Sequence, residues 1–246
     1  MNKNKILLNK IRSILLENVL PTIEHKGKMV HTTNSLGQRI HPTNEGVKQF
    51  HDWFEDSKVV DEHGRPKVVY HATSGDFDKF DINRSSSSNR FGHGFYFTND
   101  RKTLESYSKG EGGNIVPAYL KMHSPYTDHS ELSDSQVHNF FSAIKTKKFS
   151  NGYDATEDHE RIKKDVLETP SNRMGRLLGT SIYFDKHEFN HGLNAAGVDG
   201  FIKNIFKEPE YVVHHPNQIK SAIGNNGKFS SNDSIVESLI HKYHER

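Results

Sequence analysis

Apolar residues in this chain gather in short runs set apart by polar, glycine-punctuated stretches. Val68-Val69-Tyr70 and residues 94–98, 115–121, 200–205 and 211–214 are brief, rich in β-branched and aromatic residues, and bounded by Gly, Pro, Asn or Asp, the pattern of core strands. Val59-Val60 and residues 67–70 flank Asp61-Glu62-His63-Gly64, which suggests two strands around a turn. Helical spacing occurs instead at Val47, Phe50, Trp53 and Phe54, at Val137, Phe140, Phe141 and Ile144, and in a segment that ends at Gly197. Asn99 or Asp100 is placed to cap a helix after the strand at 94–98. Near the N-terminus Leu7, Ile11, Ile14, Leu15 and Val19 mark an amphipathic helix that stops before Pro21.

Short strands with helices set apart predict a mixed α+β fold rather than a doubly wound one. The helical patterns at about 131–178 read as an insertion between strands. Four regions follow: an N-terminal helix over 1–20, a linker and helix over 21–57, a main domain over 58–230, and a polar tail over 231–246. Within the second, residues 22–43 are punctuated by Gly and Thr and read as the linker.

Composition narrows the function classes. Lys+Arg 33 against Asp+Glu 31 leaves a formal charge of +2, too balanced for nucleic-acid binding by bulk electrostatics. Cysteine is absent, which excludes disulfides and thiolate metal sites. No apolar run approaches the roughly 20 residues of a membrane span. Asn9, Lys10 and Arg12 interrupt the N-terminal apolar positions, so no signal peptide is expected, and the expected location is cytoplasmic or, for an injected protein, inside a host cell. Neither a Gly-x-Gly-x-x-Gly helix start nor a Walker-type loop is present, so an NAD site here would not be a Rossmann site.

Three of the predicted strands carry chemistry near their ends. His71 closes the first, Tyr96 follows Gly92 and Gly94 in the second, and Glu210 opens the last. An imidazole, an aromatic platform and a carboxylate suit cleavage of the bond between nicotinamide and ribose: the carboxylate steadies an oxocarbenium-like transition state, and an aromatic face holds a flat ring. A competing motif is His187-Glu188-Phe189-Asn190-His191, the H-E-x-x-H pattern of zinc hydrolases. It has no evident downstream third ligand, and Gly192 and Gly197 disturb its helix, so no metal is expected.

The residues around His71, Tyr96 and Glu210 resemble the ADP-ribosyltransferase superfamily, in the His-Tyr-Glu branch shared by diphtheria toxin and the poly(ADP-ribose) polymerases. Within it the chain most resembles the ADP-ribosyltransferase domains of phage and mobile-element polyvalent proteins. The match runs from Trp53-Phe54 and Ser57-Lys58-Val59-Val60-Asp61 into Val68-Val69-Tyr70-His71, and closes on His214-His215-Pro216-Asn217-Gln218-Ile219-Lys220-Ser221. It spans residues 50 to 229.

The resemblance implies a split mixed β-sheet core with flanking helices, NAD as co-substrate and no metal. It implies that His71 bonds the adenosine-side ribose and that the backbone of Ala72, with Thr73 beside it, grips the nicotinamide amide. Alanine stands where the family usually has glycine. Tyr96 and Tyr107, at the family's eleven-residue spacing, would hold the nicotinamide ring, and Leu104 replaces a serine of polymerase-like members. Glu210 would be catalytic, and Glu208 would meet the acceptor. The implied activity is mono-ADP-ribosyl transfer, with a host or bacterial protein as the expected acceptor and nucleic acid, a small molecule or water left open. An effector or toxin role comes with the phage association. The alternatives are a catalytically silent binding module, an NAD glycohydrolase and, through His187-Glu188-Phe189-Asn190-His191, a zinc hydrolase.

Overall fold

The computed structural model describes residues 21–73, 79–85, 89–104, 114–144, 156–181, 184–205 and 208–223. The expected N-terminal helix and C-terminal tail lie outside these residues, as does Tyr107.

The segment read as a linker begins with a β-hairpin, β1 (Thr22–His25) and β2 (Lys28–His31). Its two-residue turn, Lys26-Gly27, has positive φ at both positions (50° and 77°), the setting whose twist matches that of antiparallel strands. Helix α1 (Asn44–Phe54) follows, capped by Thr43, whose side chain accepts the Gly46 N–H. Val47, Phe50, Trp53 and Phe54 all point inward from it, as their spacing predicts.

The remaining strands are β3 (Val69–Thr73), β4 (Phe95–Thr98), β5 (Asn114–Leu120), β6 (Pro125–Thr127), β7 (Gly200–Ile205), β8 (Glu208–Val213) and β9 (Ile219–Ser221). They form one mixed sheet in the order β6-β7-β8-β4-β3-β5-β9. Between Val59-Val60 and β3 the expected strand pair reduces to a single bridge, Val60 with Pro66, around a turn whose Asp61 accepts from the His63 and Arg65 backbone. Helices α2 (Arg101–Leu104), α3 (Asp134–Ala143), α4 (Thr156–Leu167), α5 (Arg173–Thr180) and α6 (Lys186–Ala195) complete the described residues. Helices α3 to α5 occupy the stretch expected as a helical insertion. Asp100 accepts the Lys102 N–H at the start of α2, and α6 ends on Gly197 at a φ of 75°.

The sheet cannot be flat. β5 and β6 stand five strand spacings apart in the order, roughly 24 Å, whereas the chain from Leu120 to Pro125 reaches at most about 18 Å. The fold therefore bends, and the bend falls between β3 and β4, which are joined at one register pair, Tyr70 with Thr98. By contrast β3 and β5 share five pairs, and β4 and β8 four. Gln218 fastens the closed end: its Oε1 accepts from His214 and His215 N–H, and its Nε2 donates to the carbonyls of Lys121 and Asp199.

Alternation along the strands sorts the core into three parts. Val69, Phe95, Phe97, Ala118, Leu120, Tyr211, Val213 and Ile219 pack together between the two halves of the bent sheet. Val212 and Phe201 face the other way, into the cluster built by α3 to α6. Tyr119, with Tyr70 beside it, meets α1. Strand β4 lies at the seam of these layers.

Candidate active site

Strand β4 gathers the three polar groups singled out in the sequence. Its register with β8 pairs Tyr96 with Val212 and Thr98 with Glu210, so Tyr96 and Glu210 leave the sheet on one face, a pair apart along it. Phe95 and Phe97 take the opposite face, toward the strand core. His71 arrives from β3, where the ladder to β4 has opened, and its Nδ1 lies 2.8 Å from the carbonyl oxygen of Tyr96. Its ring leans on Phe80 and Phe97, with centroids 5.2 and 5.3 Å away. His71 is thus tied to Tyr96 through the backbone rather than by a shared face, and it flanks β4 on the side opposite Glu210.

A carbonyl oxygen only accepts, so His71 Nδ1 carries the proton in that bond. Burial holds the imidazole below its ordinary pKa, and the bond to Tyr96 opposes this in part. In the neutral ring Nε2 is then an acceptor.

The Tyr96 hydroxyl is engaged twice. It accepts the Phe91 N–H at 3.0 Å and donates to the Gly92 carbonyl at 2.8 Å, clasping the segment that leads into β4. Burial first, and the nearby Glu210 carboxylate in addition, raise its pKa, while the bond from Phe91 opposes the rise. Gly92 adopts a φ of 73°, which favours glycine, and Gly94 allows the close approach of β4 to β8: a Cβ there would lie 2.5 Å from Val212 Cγ1 and 3.1 Å from the Val213 carbonyl.

Glu210 is half-buried, and loss of solvent raises its pKa above the ordinary glutamate value. Arg90 works against that rise. Arg90 immediately precedes Phe91, whose ring stacks on Phe201 at 5.2 Å and whose N–H is held by Tyr96, so the clasp also sets where the guanidinium starts. Sequence reading passed over Arg90, because one arginine in a polar loop carries no signal until the loop is pinned.

The remaining expected residues fall as follows. Ala72 pairs with Ile115 in β3, and the positive-φ non-glycine residues among those described are Lys26 and Glu55, so alanine meets no backbone strain at 72. Thr73 pairs with Asn114 at the end of the same strand. Glu208 lies in β8 rather than in a loop, is exposed, and shares a face with Glu210 by alternation. Leu104 ends α2 and is half-buried.

His187 and His191 are exposed on α6, whose inward face is Phe189, Asn190 and Leu193. Among the described residues no group of three or more His, Asp or Glu is arranged to hold a metal ion. None of their helices is long and apolar enough to cross a membrane.

A family model described as ADP-ribosyltransferase in polyvalent proteins matches residues 61–229. The chain belongs to this family. No curated protein and no solved structure matches it. Polyvalent-protein ADP-ribosyltransferases are transferases with NAD as co-substrate, and the bent, seamed α+β sheet is consistent with their fold. The matched span begins at Asp61 and ends at Phe229, so it holds His71, Tyr96 and Glu210 but leaves the hairpin and α1 before it.

Proposed function

We propose that this ADP-ribosyltransferase transfers a single ADP-ribose unit from NAD to an acceptor side chain of a host or bacterial protein, with Glu210 as the catalytic carboxylate. The observation that carries the proposal is the β4–β8 register, which sets a desolvated Glu210 opposite Thr98 while β4 also holds His71 through the Tyr96 carbonyl. Three residues far apart in sequence converge on one strand.

In this reading NAD lies across β4. His71 Nε2 accepts from the adenosine-side ribose hydroxyl, and the backbone at Ala72 and Thr73 receives the nicotinamide amide. The glycosidic C1′–N bond breaks and nicotinamide leaves with the bonding electron pair. Glu210, ionised and held by its strand, accepts from the ribose 2′-hydroxyl and stabilises the positive charge that grows on the sugar; such preorganised charge costs no reorganisation at the moment of reaction. The acceptor nucleophile then bonds to C1′ from the opposite face and loses its proton. Glu208, exposed on the same strand face, would hold the acceptor or take that proton.

Tyr96 serves here mainly through its clasp on residues 91 and 92, with its ring beside the nicotinamide position. Tyr107 rests on its spacing from Tyr96, and Tyr107→Ala should weaken NAD binding by at least about fivefold whereas Tyr107→Phe should not.

The test is incubation of the protein with NAD labelled in the adenosine moiety and a cell lysate, followed by location of the label. Label covalently attached to protein supports transfer. Label released only as free ADP-ribose would replace the transferase reading with a glycohydrolase one, and label remaining in NAD would favour a silent module.

A further inference from the structure

Beyond the C-terminal end of β8, α1 and the end of α6 stand on either side of an open cavity of about 800 Å3. Its walls include Gln49 and Trp53 of α1, Lys121 and His123 of the β5–β6 link, Asn194 of α6 and Asn217 of the β8–β9 turn. None of its lining residues belongs to the group around His71, Tyr96 and Glu210. Because α1 precedes the matched span 61–229, the cavity is completed by a part of this chain that the family match does not cover. Its volume is within the roughly 300–1,000 Å3 of ordinary small-ligand sites.

The charges at its rim are unevenly employed. Asp52 is held by Lys26 and His25, each at 2.6 Å, and Asp199 accepts the backbone N–H groups of His123 at 2.6 Å and Ser124 at 3.0 Å. Asp52 is therefore neutralised by Lys26, and both oxygens of Asp199 are engaged by backbone amides. Lys121 Nζ and His123 Nε2, in contrast, converge on a single oxygen, Glu55 Oε2, at 3.1 and 3.0 Å. Glu55 is the C-cap of α1 and sits at φ 51°, ψ −135°, a backbone setting that is costly for a residue with a Cβ. Two donors thus meet an oxyanion supplied by the protein itself, from a strained position. Trp53 Nε1–H, bonded to the Asn217 carbonyl at 3.0 Å, ties the wall together beside them.

We propose that this cavity binds a small molecule bearing a phosphate or carboxylate group, that Lys121 and His123 are its anion donors, and that Glu55 is an internal carboxylate the ligand displaces. The side-chain amides of Gln49, Asn194 and Asn217 would meet the ligand's uncharged polar part. Displacement releases the Glu55 side chain, which is already exposed, from both donors. The proposal is independent of the transferase reading, since it needs neither NAD nor Glu210.

Trp53 is the chain's one tryptophan, so its fluorescence reports on this wall without interference. The full chain is titrated with glycerol 3-phosphate, glutarate and uncharged glycerol, none of which carries the adenosine or nicotinamide of NAD, with calorimetry in parallel. Saturable change with one or both anions is expected, their relative affinities telling phosphate from carboxylate, and glycerol should give none. Glu55→Gln should tighten anion binding about two- to fivefold, the scale of removing an exposed ion-pair competitor. Lys121→Gln should weaken it by about tenfold. The proposal is overturned if neither anion binds the wild type or Glu55→Gln, if glycerol binds as tightly as its phosphate, or if Glu55→Gln leaves anion affinity unchanged.

Discussion

His71 donates through Nδ1 to the carbonyl oxygen of Tyr96 at 2.8 Å, across the place where β3 and β4 part. One side chain of the proposed site is thereby fixed to the backbone of another. His71→Ala removes that tie and leaves a gap beside Phe80 and Phe97, so NAD should bind about tenfold more weakly, read by calorimetry. His71→Asn, which keeps a donor, should recover part of the loss.

Tyr96→Phe keeps the ring but strips the Phe91 N–H and the Gly92 carbonyl of their partner. Two neutral hydrogen bonds contribute about 1–3 kcal/mol, and urea unfolding should show a loss of that size. An unchanged midpoint would mean that the clasp contributes nothing to the fold.

Gly94→Ala tests the packing of β4 on β8. The added methyl would meet Val212 Cγ1 and the Val213 carbonyl, neither of which is the end of a flexible side chain. Overpacking of this kind costs typically about 1–3 kcal/mol, and the strand carrying Glu210 would shift with it. Thermal unfolding should show the destabilisation, and activity should fall further than the folded fraction does.

The pH dependence of transfer should report on Glu210 and Arg90. Burial raises the pKa of Glu210 and Arg90 lowers it, so the acid limb should lie above the ordinary glutamate range, and Arg90→Gln should move it to still higher pH. Arg90→Lys should leave it near the wild-type position. A limb that does not move in Arg90→Gln would remove Arg90 from the site's electrostatics.

Stability should also fall in acid, for a separate reason. His214 is buried against Phe201, and burial, with a smaller contribution from His215, pushes its pKa down to about 3 from 6.5. The unfolded chain then binds more protons than the folded one between those values, so stability is full above about pH 6.5 and declines as pH falls toward about 3. His51, His71, His93 and His215 are shifted in the same direction and add to the slope. His214→Leu should flatten it, as followed by urea unfolding between pH 7 and about 4.

Much of this fold was legible where side chains alternate or repeat around a deep core. β7 coincides with the predicted strand at 200–205, and the four residues of α1 named from spacing are all buried, with Gly46 beside them. The hairpin of β1 and β2 was read as linker because its strands are short, Met29 is exposed, and the Lys26-Gly27 turn lacks the usual Asn or Asp. β6 is three residues opening on Pro125, which gives almost no periodic signal. At the site, the residue types and their strand positions could be read, but the bend could not. It depends on a chain link too short for a flat sheet, and with it go the turn of His71 toward Phe97, the clasp made by the Tyr96 hydroxyl, and the approach of Arg90 to Glu210.

The central claim is that the Glu210 carboxylate acts on the transition state, and nicotinamide release measured alongside NAD affinity tests it most directly. Glu210→Gln should bind NAD within about threefold of wild type while its rate of nicotinamide release falls about 10²–10³-fold, the usual loss for one preorganised charge. A folded Glu210→Gln protein that releases nicotinamide at the wild-type rate would contradict the account.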